Sequence, residues 1–343
     1  MKAAVIKKHG GPEAVSIENI GEPLAQPGEV VVEIRSAALN HLDIWVRNGR
    51  GEQDLTSPHI LGSDGSGVII DKADGSQEVN TGNEVIINPA LSCGHCEFCQ
   101  KGQQSECVSF GIVGMARDGT FAEKIAVPYA NVWPKPTHLS FDEAAALPLT
   151  YQTAWRMLIT RAKMKPSDTI LIQGIGGGVA LACLQFAALF GAEVIVTSSS
   201  DEKLQKAKEL GAAYTINYKK SDVVKTVREF TKDRGVDIVI DSVGAATFDI
   251  DLSVARRGGK IVLCGVTTGA KTEANLQKIY WNQLTIMGST MGSYEDFRQM
   301  LKAVNNNKLK PVIDSDFPLE NARQAMTRME SGEQFGKIVL KVK

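Results

Sequence analysis

Four of the six cysteines in this 343-residue chain lie close together, at Cys93, Cys96, Cys99 and Cys107. Their spacing is C-x2-C-x2-C-x7-C, on a polar loop. In a reducing compartment such clusters bind metal rather than form disulfides. Four thiolates can surround a tetrahedral zinc ion and leave no open position for a substrate, so we predict a structural zinc. The alternatives are free thiols and an iron–sulfur cluster, whose ferredoxin spacing differs and includes Cys-Pro. His95 lies inside the loop as a bystander.

A glycine run at Gly174, Gly176, Gly177 and Gly178 is the second pattern that could do chemistry. A buried strand is predicted before it at Thr169–Ile172, a helix after it over about 179–190, and a second strand at Glu193–Thr197. Strand, glycine turn, helix and strand make the unit in which helix N–H groups face the pyrophosphate of a dinucleotide. An ordinary loop is the alternative, but the flanking pattern favours nucleotide binding.

The end of the second predicted strand bears on which nucleotide binds. An acidic residue at that point binds the ribose of NAD and repels the phosphate of NADP. This chain has Ser198, Ser199 and Ser200 there, with Lys203 one helical turn further on. Hydroxyls leave room for a phosphate and can donate to it, so we predict NADP over NAD. In the alternative interpretation the serines only cap a helix and Lys203 is a solvated surface residue.

Composition excludes several classes of function. The net charge is −1 and 22% of residues are charged, which gives no electrostatic footprint for nucleic acid or a membrane surface. No apolar run reaches the length of a membrane span, and the first residues lack a signal-peptide core. We therefore expect a cytoplasmic protein without nucleic-acid or membrane partners.

The chain divides into a β-rich first part and an alternating second part. Short strands are predicted at Lys2–Ile6, Glu29–Ser36, Ser66–Ile70 and Glu84–Ile87, which suggests a partly open barrel. After about residue 149, strands and helices alternate up to Leu284–Gly288, as in a doubly wound parallel sheet. The predicted fold class is α/β, with a catalytic domain over 1–148, a dinucleotide-binding domain over 149–291 and a C-terminal return over 292–343. The metal lobe spans about 91–110.

These landmarks together resemble the medium-chain dehydrogenase/reductase superfamily, which includes zinc-type alcohol dehydrogenases and quinone oxidoreductases. The similarity covers the whole chain, through LNHLDIWVRNG (39–49), LGSDGSGVI (61–69), the cysteine loop, GIGGGVA (174–180) and GGKIVLCGV (258–266). It implies a GroES-like barrel domain built from both chain ends, a Rossmann domain between them, and a cleft for the nicotinamide. It also implies a homodimer, paired through Leu284–Gly288, or a homotetramer.

The chain departs from the zinc alcohol dehydrogenases at the ligands of their catalytic zinc. Their first cysteine corresponds to Asn40, and their Gly-His-Glu motif reads Gly62-Ser63-Asp64 here. No cysteine occurs in Leu147–Ala154, and Leu42 and Trp45 stand where those enzymes relay protons. Zinc assists alcohol oxidation by stabilising the alkoxide. The resemblance therefore implies a hydride transfer that needs no such ion.

The resemblance also implies the site residues. Three polar side chains are candidates for the catalytic site: Asn40, Asp43 and Asp64. Asp43 and Asp64 have a purely structural alternative. The implied cofactor contacts, from nicotinamide through pyrophosphate to adenosine phosphate, are Thr153, Gly174, Gly176, Gly177, Gly178, Val179, Ser198, Ser199, Lys203, Tyr218, Val243, Gly265 and Val266.

The leading hypothesis is an NADPH-dependent reductase of quinones or α,β-unsaturated carbonyls, with one structural zinc and no catalytic zinc. The second is an alcohol dehydrogenase whose metal site is rebuilt from Asp64 with His41, Asp43 or His59. The third is a nucleotide-binding protein without catalysis, since a fold does not guarantee a reaction.

Overall fold

The computed structural model describes residues 1–49, 58–74 and 79–343. They form two units, one of residues 1–149 with 293–343 and one of residues 150–292. The predicted boundaries lie one residue from these. The predicted α/β class, with a doubly wound parallel sheet in the second unit, is confirmed. Among the described residues, no helix is both long and apolar enough to cross a membrane.

The first unit begins with short strands separated by glycine, proline and asparagine turns. Its N-terminal strands are β1 (Lys2–Ile6), β2 (Val15–Asn19), β3 (Glu29–Ala38), β4 (His59–Ile60), β5 (Asp64–Lys72), β6 (Glu84–Ile87), β7 (Ala90–Leu91), β8 (Gly111–Ile112), β9 (Lys124–Pro128) and β10 (Val132–Pro134). Its helices up to this point are α1 (His41–Arg47), α2 (Glu97–Gln100) and α3 (Phe141–Ala145). Ser140 caps α3 in a capping box with Glu143, as the SFDE sequence predicts.

The helix α4 (Pro148–Trp155) leads from the first unit into the second, which begins at residue 150. Its strands are β11 (Thr169–Ile172), β12 (Glu193–Ser198), β13 (Tyr214–Asn217), β14 (Val236–Asp241), β15 (Ala255–Leu263) and β16 (Thr285–Gly288). Its helices are α5 (Gly178–Leu189), α6 (Asp201–Glu209), α7 (Val223–Phe230), α8 (Phe248–Val254) and α9 (Leu276–Trp281). The six strands are parallel in the order β13-β12-β11-β14-β15-β16. The order reverses beside β11, which is where doubly wound sheets bind nucleotides.

Three local features of this unit differ from the sequence-based expectation: a helix that changes type, a helix that is shorter than predicted, and a helix that was missed. The sequence predicts one helix over Thr150–Lys163, but α4 gives way to a π-helical segment at Arg156–Arg161. The helix predicted near 246–256 ends at Val254, because the chain already pairs with β14 from Ala255. The short helix α9 was not predicted, since its LQKIYW sequence mixes apolar and polar residues without a clear period.

The chain then returns to the first unit through α10 (Tyr294–Asn307), β17 (Ile313–Pro318), α11 (Ala322–Ser331) and β18 (Lys337–Lys341). β18 pairs antiparallel with β3, inside the seven-stranded sheet whose main order is β10-β6-β5-β3-β18-β17. A second sheet has the order β2-β1-β4. The apolar faces of β1, β3 and β18 share one core with α11. This return brings the last strand beside the strand that leads into α1.

Candidate functional site

Three segments that are distant in sequence meet where β3 ends. Asn40 follows β3 and is the N-cap of α1, in an extended conformation. Asp64 opens β5 and pairs in register with Ala38, and Val339 of β18 pairs with the same Ala38. Because Lys337 starts β18, the sheet register places its side chain in the same region as Asn40 and Asp64.

These three side chains form one hydrogen-bonded cluster, which we call the Lys337 cluster (Asn40, Asp64 and Lys337). Lys337 Nζ donates to Asn40 Oδ1 at 2.6 Å and to Asp64 Oδ2 at 2.9 Å. Asn40 Nδ2 donates to the same Asp64 oxygen at 2.8 Å. The backbone N–H of Leu149 donates to the other Asp64 oxygen at 2.8 Å. The side chains of Asp64 and Lys337 are 0% and 4% exposed, so the ion pair is buried.

The cluster supplies its own positive charge. Both oxygens of Asp64 are occupied, and the pair leaves the ammonium one N–H that has no acceptor among the described residues. An N–H of this kind, in a region with little solvent, can stabilise negative charge that develops on a carbonyl oxygen. Ser63 is also fully buried, and its hydroxyl has no hydrogen-bond partner within the described part of the chain.

Lys337 was missed in the sequence reasoning. It lies 297 positions from Asn40 along the chain, and a lysine at the start of an apolar strand is normally interpreted as a solvated end residue. The resemblance supplied Asn40 and Asp64 because both lie in landmark segments. Only the pairing of β18 with β3 brings the lysine to them.

Asp43 lies beside the Lys337 cluster and is the third residue of α1, in the capping box that starts at Asn40. Its Oδ2 accepts a 2.7 Å hydrogen bond from the backbone N–H of Asn40. Its Oδ1 is buried without a partner among the described residues. Burial raises the pKa of the Asp43 carboxyl to about 7, although the Asn40 N–H and the Lys337 charge oppose the shift. These contacts agree with the structural alternative for Asp43, in which its carboxyl group stabilises the start of α1.

The histidines considered for a rebuilt metal site have other contacts. The His41 ring packs edge-on against Trp45, with centroids 5.2 Å apart. His59 Nε2 lies 3.0 Å from the Gly114 carbonyl oxygen, and its other nitrogen lies 3.6 Å from Asp118. Among the described residues, the cysteine loop is the one place where three or more histidine, cysteine or acidic side chains come together as metal ligands could.

The four loop cysteines converge as predicted. Their sulfur atoms all lie within 4.8 Å of one another, with Cys93 Sγ 3.5 Å from Cys107 Sγ and 3.9 Å from Cys99 Sγ. Tetrahedral ligands at zinc–sulfur distances of about 2.3 Å are about 3.8 Å apart, so the cluster fits a zinc ion. Backbone N–H groups of Cys99 and Val108 lower the pKa of the Cys96 thiol to about 6, whereas burial raises that of Cys99 to about 11. His95 bonds to the Cys93 carbonyl through Nδ1 and stays outside the sulfur group.

The glycine turn has the conformation that a phosphate cradle needs. Gly174 and Gly176 adopt positive φ angles of 68° and 125°. A Cβ on Gly174 would lie 3.0 Å from Val243, so the close approach also favours glycine. Gly177 is the N-cap of the twelve-residue helix α5, and no side chain caps that helix. The first N–H groups of α5, from Gly178 and Val179 onward, therefore suit an anion.

A pocket of about 410 Å³ opens beside this turn within the second unit. Three of the predicted cofactor residues line it: Gly174, Tyr218 and Val243. Gly265 and Val266 are not among its lining residues, but both pack closely on the segment next to Val243: a Cβ on Gly265 would lie 3.1 Å from the Ser242 carbonyl oxygen, and a Cβ on Gly244 would lie 3.0 Å from Val266. Thr153 is 5% exposed and its hydroxyl contacts the sulfur of Met291 at 3.8 Å.

The predicted ribose-binding end lies where β12 meets α6. Ser198 ends β12, and its carbonyl accepts the N–H of Tyr218 at 3.1 Å. Ser200 caps α6 by accepting the N–H of Lys203 at 3.3 Å, which is the structural role considered for these serines. Ser199 lies between them. The nearest carboxylate, Asp201, is paired with Lys220, so its charge is already balanced.

Comparison with known proteins agrees with this arrangement. Residues 26–137 match the alcohol dehydrogenase GroES-like domain family, and residues 178–306 match the zinc-binding dehydrogenase family. A zinc-type alcohol dehydrogenase-like protein of Schizosaccharomyces pombe is 33% identical over 92% of this chain and 91% of its own. A quinone oxidoreductase of Rattus norvegicus is 27% identical over 99% of this chain and 97% of its own. The crystal structure of an NAD-dependent alcohol dehydrogenase is 42% identical, with a TM-score of 0.97 and complete coverage of both chains.

Proposed function

Because the chain belongs to the medium-chain dehydrogenase/reductase superfamily and is an NAD(P)-dependent oxidoreductase, we propose that it is an NADPH-dependent reductase. It transfers hydride to a quinone or an α,β-unsaturated carbonyl and uses no catalytic zinc. The observation that carries this proposal is the buried ammonium of Lys337, bonded to Asn40 and Asp64. The zinc of this protein is structural and is held by Cys93, Cys96, Cys99 and Cys107.

The donor set near Asn40 is unsuited to a catalytic zinc. Zinc in such enzymes takes sulfur and imidazole ligands, whereas this chain presents an amide at Asn40 and a hydroxyl at Ser63. The one carboxylate, Asp64, already pairs with an ammonium. A divalent ion at this position would have to displace Lys337 or share Asp64 with it, and the two cations would repel each other. Simple alcohols, which need zinc to stabilise the alkoxide, are therefore poor substrates.

A conjugated acceptor suits the Lys337 cluster better. Bound NADPH supplies the hydride. Addition at the far end of an enone or quinone moves negative charge onto the carbonyl oxygen, where the remaining Lys337 N–H can stabilise it. A proton from water then completes the reduction. Asp64 positions Lys337, and Asp43 positions Asn40 through the α1 cap.

The cofactor residues proposed for the second unit are those predicted from the sequence. Gly174, Gly176, Gly177, Gly178 and Val179 bind the pyrophosphate at the start of α5. The remaining contacts are Thr153, Val243, Gly265 and Val266 near the nicotinamide, and Ser198, Ser199, Lys203 and Tyr218 at the adenosine phosphate. NADP is favoured because Asp201 and Glu202, the first two acidic residues after β12, pair with Lys220 and Lys206.

We further propose a homodimer, with a homotetramer of paired dimers as the larger alternative. β16 is the last strand of the six-stranded sheet, and pairs with β15 on one side. The neighbouring helix α9 exposes Leu276, Tyr280 and Trp281 at 70%, 63% and 63%. An unpaired strand edge beside exposed aromatic residues is typical of a surface that another copy covers.

One assay tests the reaction. NADPH and NADH oxidation is measured with quinones, enones and aldehydes, alcohols are tested in the reverse direction, and zinc is quantified. We expect quinone or enone reduction with NADPH and about one zinc per chain. Two zinc ions per chain with chelator-sensitive alcohol oxidation would instead support the rebuilt-metal alcohol dehydrogenase, a reaction that the names of several relatives favour. No turnover with any acceptor would support the non-catalytic alternative.

A lysine substitution tests the cofactor preference. Lys203→Met should raise the KM for NADPH about tenfold, equivalent to about 1.4 kcal/mol, and leave the KM for NADH unchanged. Lys206→Met is the matched control, because Lys206 lies on the same helix and pairs with Glu202. Equal effects of Lys203→Met on both cofactors would overturn the NADP assignment, and the NAD-dependent relative makes the NADH measurement essential.

A further inference from the structure

Two buried carboxyl groups of the second unit, Asp241 and Asp251, are close enough to interact electrostatically. Asp241 ends β14 and Asp251 lies on α8, and both are 0% exposed. Neither forms an ion pair with a lysine or arginine in the described part of the chain. Two buried negative charges side by side, without a cation, are strongly unfavourable. One of the two is therefore expected to be protonated.

The hydrogen bonds identify Asp241 as the charged member. Its Oδ1 accepts the N–H of Val243 at 2.6 Å, and its Oδ2 accepts the Thr247 hydroxyl at 2.9 Å. The N–H of Gly244 also points at it, at 3.2–3.3 Å. Several donors on both oxygens favour a carboxylate.

Asp251 has the opposite surroundings. Its Oδ1 accepts one hydrogen bond, from Gln173 Nε2 at 2.9 Å, and its Oδ2 is buried with no donor from the described residues. Burial raises the pKa of the Asp251 carboxyl well above its ordinary value, and the neighbouring Asp241 carboxylate raises it further. Protonation of Asp251 removes two unfavourable effects. Its Oδ2 no longer lacks a hydrogen bond, because the hydroxyl can donate one, and the repulsion between the charges of Asp251 and Asp241 disappears.

Hydrogen bonds connect Asp251 and Asp241 to two sets of residues that line the pocket. On one side, Gln173 binds Asp251 through Nε2 and accepts the Thr197 hydroxyl at 2.8 Å through Oε1. Thr197 in turn accepts the N–H of Gly174, the first residue of the glycine turn, at 3.0 Å. On the other side, Asp241 fixes the 243–247 turn. The ends of both branches line the same 410 Å³ pocket, as Gln173, Gly174, Thr197, Val243 and Thr247.

We propose that Asp251, in its neutral protonated form, is a positioning residue that holds the glycine turn and the 243–247 turn in place for the dinucleotide. Asp251 does not line the pocket and acts through Gln173 and Asp241. The inference rests on the proposed cofactor site. The inference goes beyond that site because it assigns a role to a buried acid that takes no part in the proposed hydride transfer.

The test compares two substitutions at Asp251 in the full-length, zinc-loaded protein. Asp251→Asn reproduces the neutral acid, because its amide can donate toward Asp241 and its oxygen can accept from Gln173. Asp251→Leu keeps the branching and the number of heavy atoms of the side chain but breaks both links. The Kd for NADPH is measured by fluorescence titration, alongside kcat at saturating NADPH. We expect Asp251→Asn to bind within about threefold of the wild type, and Asp251→Leu to bind at least about tenfold more weakly with kcat largely retained.

The outcomes separate the inference from the proposed function. Asp251→Asn binding as weakly as Asp251→Leu would overturn the neutral form, because a charged carboxylate would then be required. Asp251→Leu binding as tightly as the wild type would overturn the positioning role. If Asp251→Leu does not fold, the comparison of Asp251→Asn with the wild type still decides, since a tenfold loss there overturns the inference. A wild-type protein that binds neither NADPH nor NADH would overturn the proposed function itself.

Discussion

The cysteine loop and the Lys337 cluster belong to the same unit, yet they balance charge differently. In the loop, four sulfur ligands lie within 4.8 Å of one another and are contacted by backbone N–H groups such as those of Cys96 and Ser109. In the Lys337 cluster, the carboxylate of Asp64 faces an ammonium from the same chain. The loop needs an external cation to bring thiolates together, whereas the Lys337 cluster is complete without one. Under the proposed function, this difference separates the loop that binds the structural zinc from the cluster that works without a metal.

The largest expected effect comes from the loop. Cys93→Ser should lower the zinc content from about one per chain to near zero and unfold the 91–110 lobe, because structural zinc contributes about 10 kcal/mol or more to such folds. Zinc is quantified by mass spectrometry and the melting temperature by calorimetry. Cys183→Ala is the matched control, since this buried cysteine lies on α5, outside the loop. Unchanged zinc content in Cys93→Ser would show that the cysteine loop does not hold the zinc, which would contradict the difference between the loop and the Lys337 cluster.

The second expected effect comes from removing the internal cation. Lys337→Met leaves Asp64 buried without its partner, which typically costs about 3–5 kcal/mol in unfolding free energy. The loss of an oxyanion donor should also lower kcat for an enone or quinone about 10²–10³-fold. Urea unfolding and steady-state kinetics measure the two effects.

A double substitution provides the control for Lys337→Met. Lys337→Met with Asp64→Asn should recover much of the stability, because the uncompensated charge is gone, but not the activity. Zinc should stay at about one per chain in both variants. A second zinc bound by Lys337→Met would show that the ammonium only competes with a metal site, which would contradict the distinction between the two regions.

The two regions differ in how much of each could be predicted from the sequence. The cysteine loop could be predicted in full, because its four ligands lie within one short segment. The same holds for the glycine turn and for most strands of the parallel sheet, where local pattern and tertiary position agree. Lys337 could not be predicted, because its partners depend on the pairing of β18 with β3. The Asp241–Asp251 pair was missed for a related reason, since only the packing of α8 on the sheet buries the two acids together.

The smallest expected effect concerns Asp43, which lies at the edge of the Lys337 cluster and lacks a cation of its own. Burial raises its pKa to about 7, so the folded protein holds a proton that the unfolded chain has already released near pH 5. The folded state is therefore destabilised as pH rises, and the free energy of unfolding should fall by about 2–3 kcal/mol between about pH 5 and about pH 8. Asp43→Asn keeps an oxygen that can accept the Asn40 N–H, but its side chain cannot ionise. The free energy of unfolding of this variant should therefore fall by about 2–3 kcal/mol less than that of the wild type over the same pH range. Urea unfolding of both proteins at the two pH values measures the difference. Parallel curves would mean that Asp43 is already ionised at pH 5, in which case the charge of Lys337 would serve two carboxylates and not Asp64 alone.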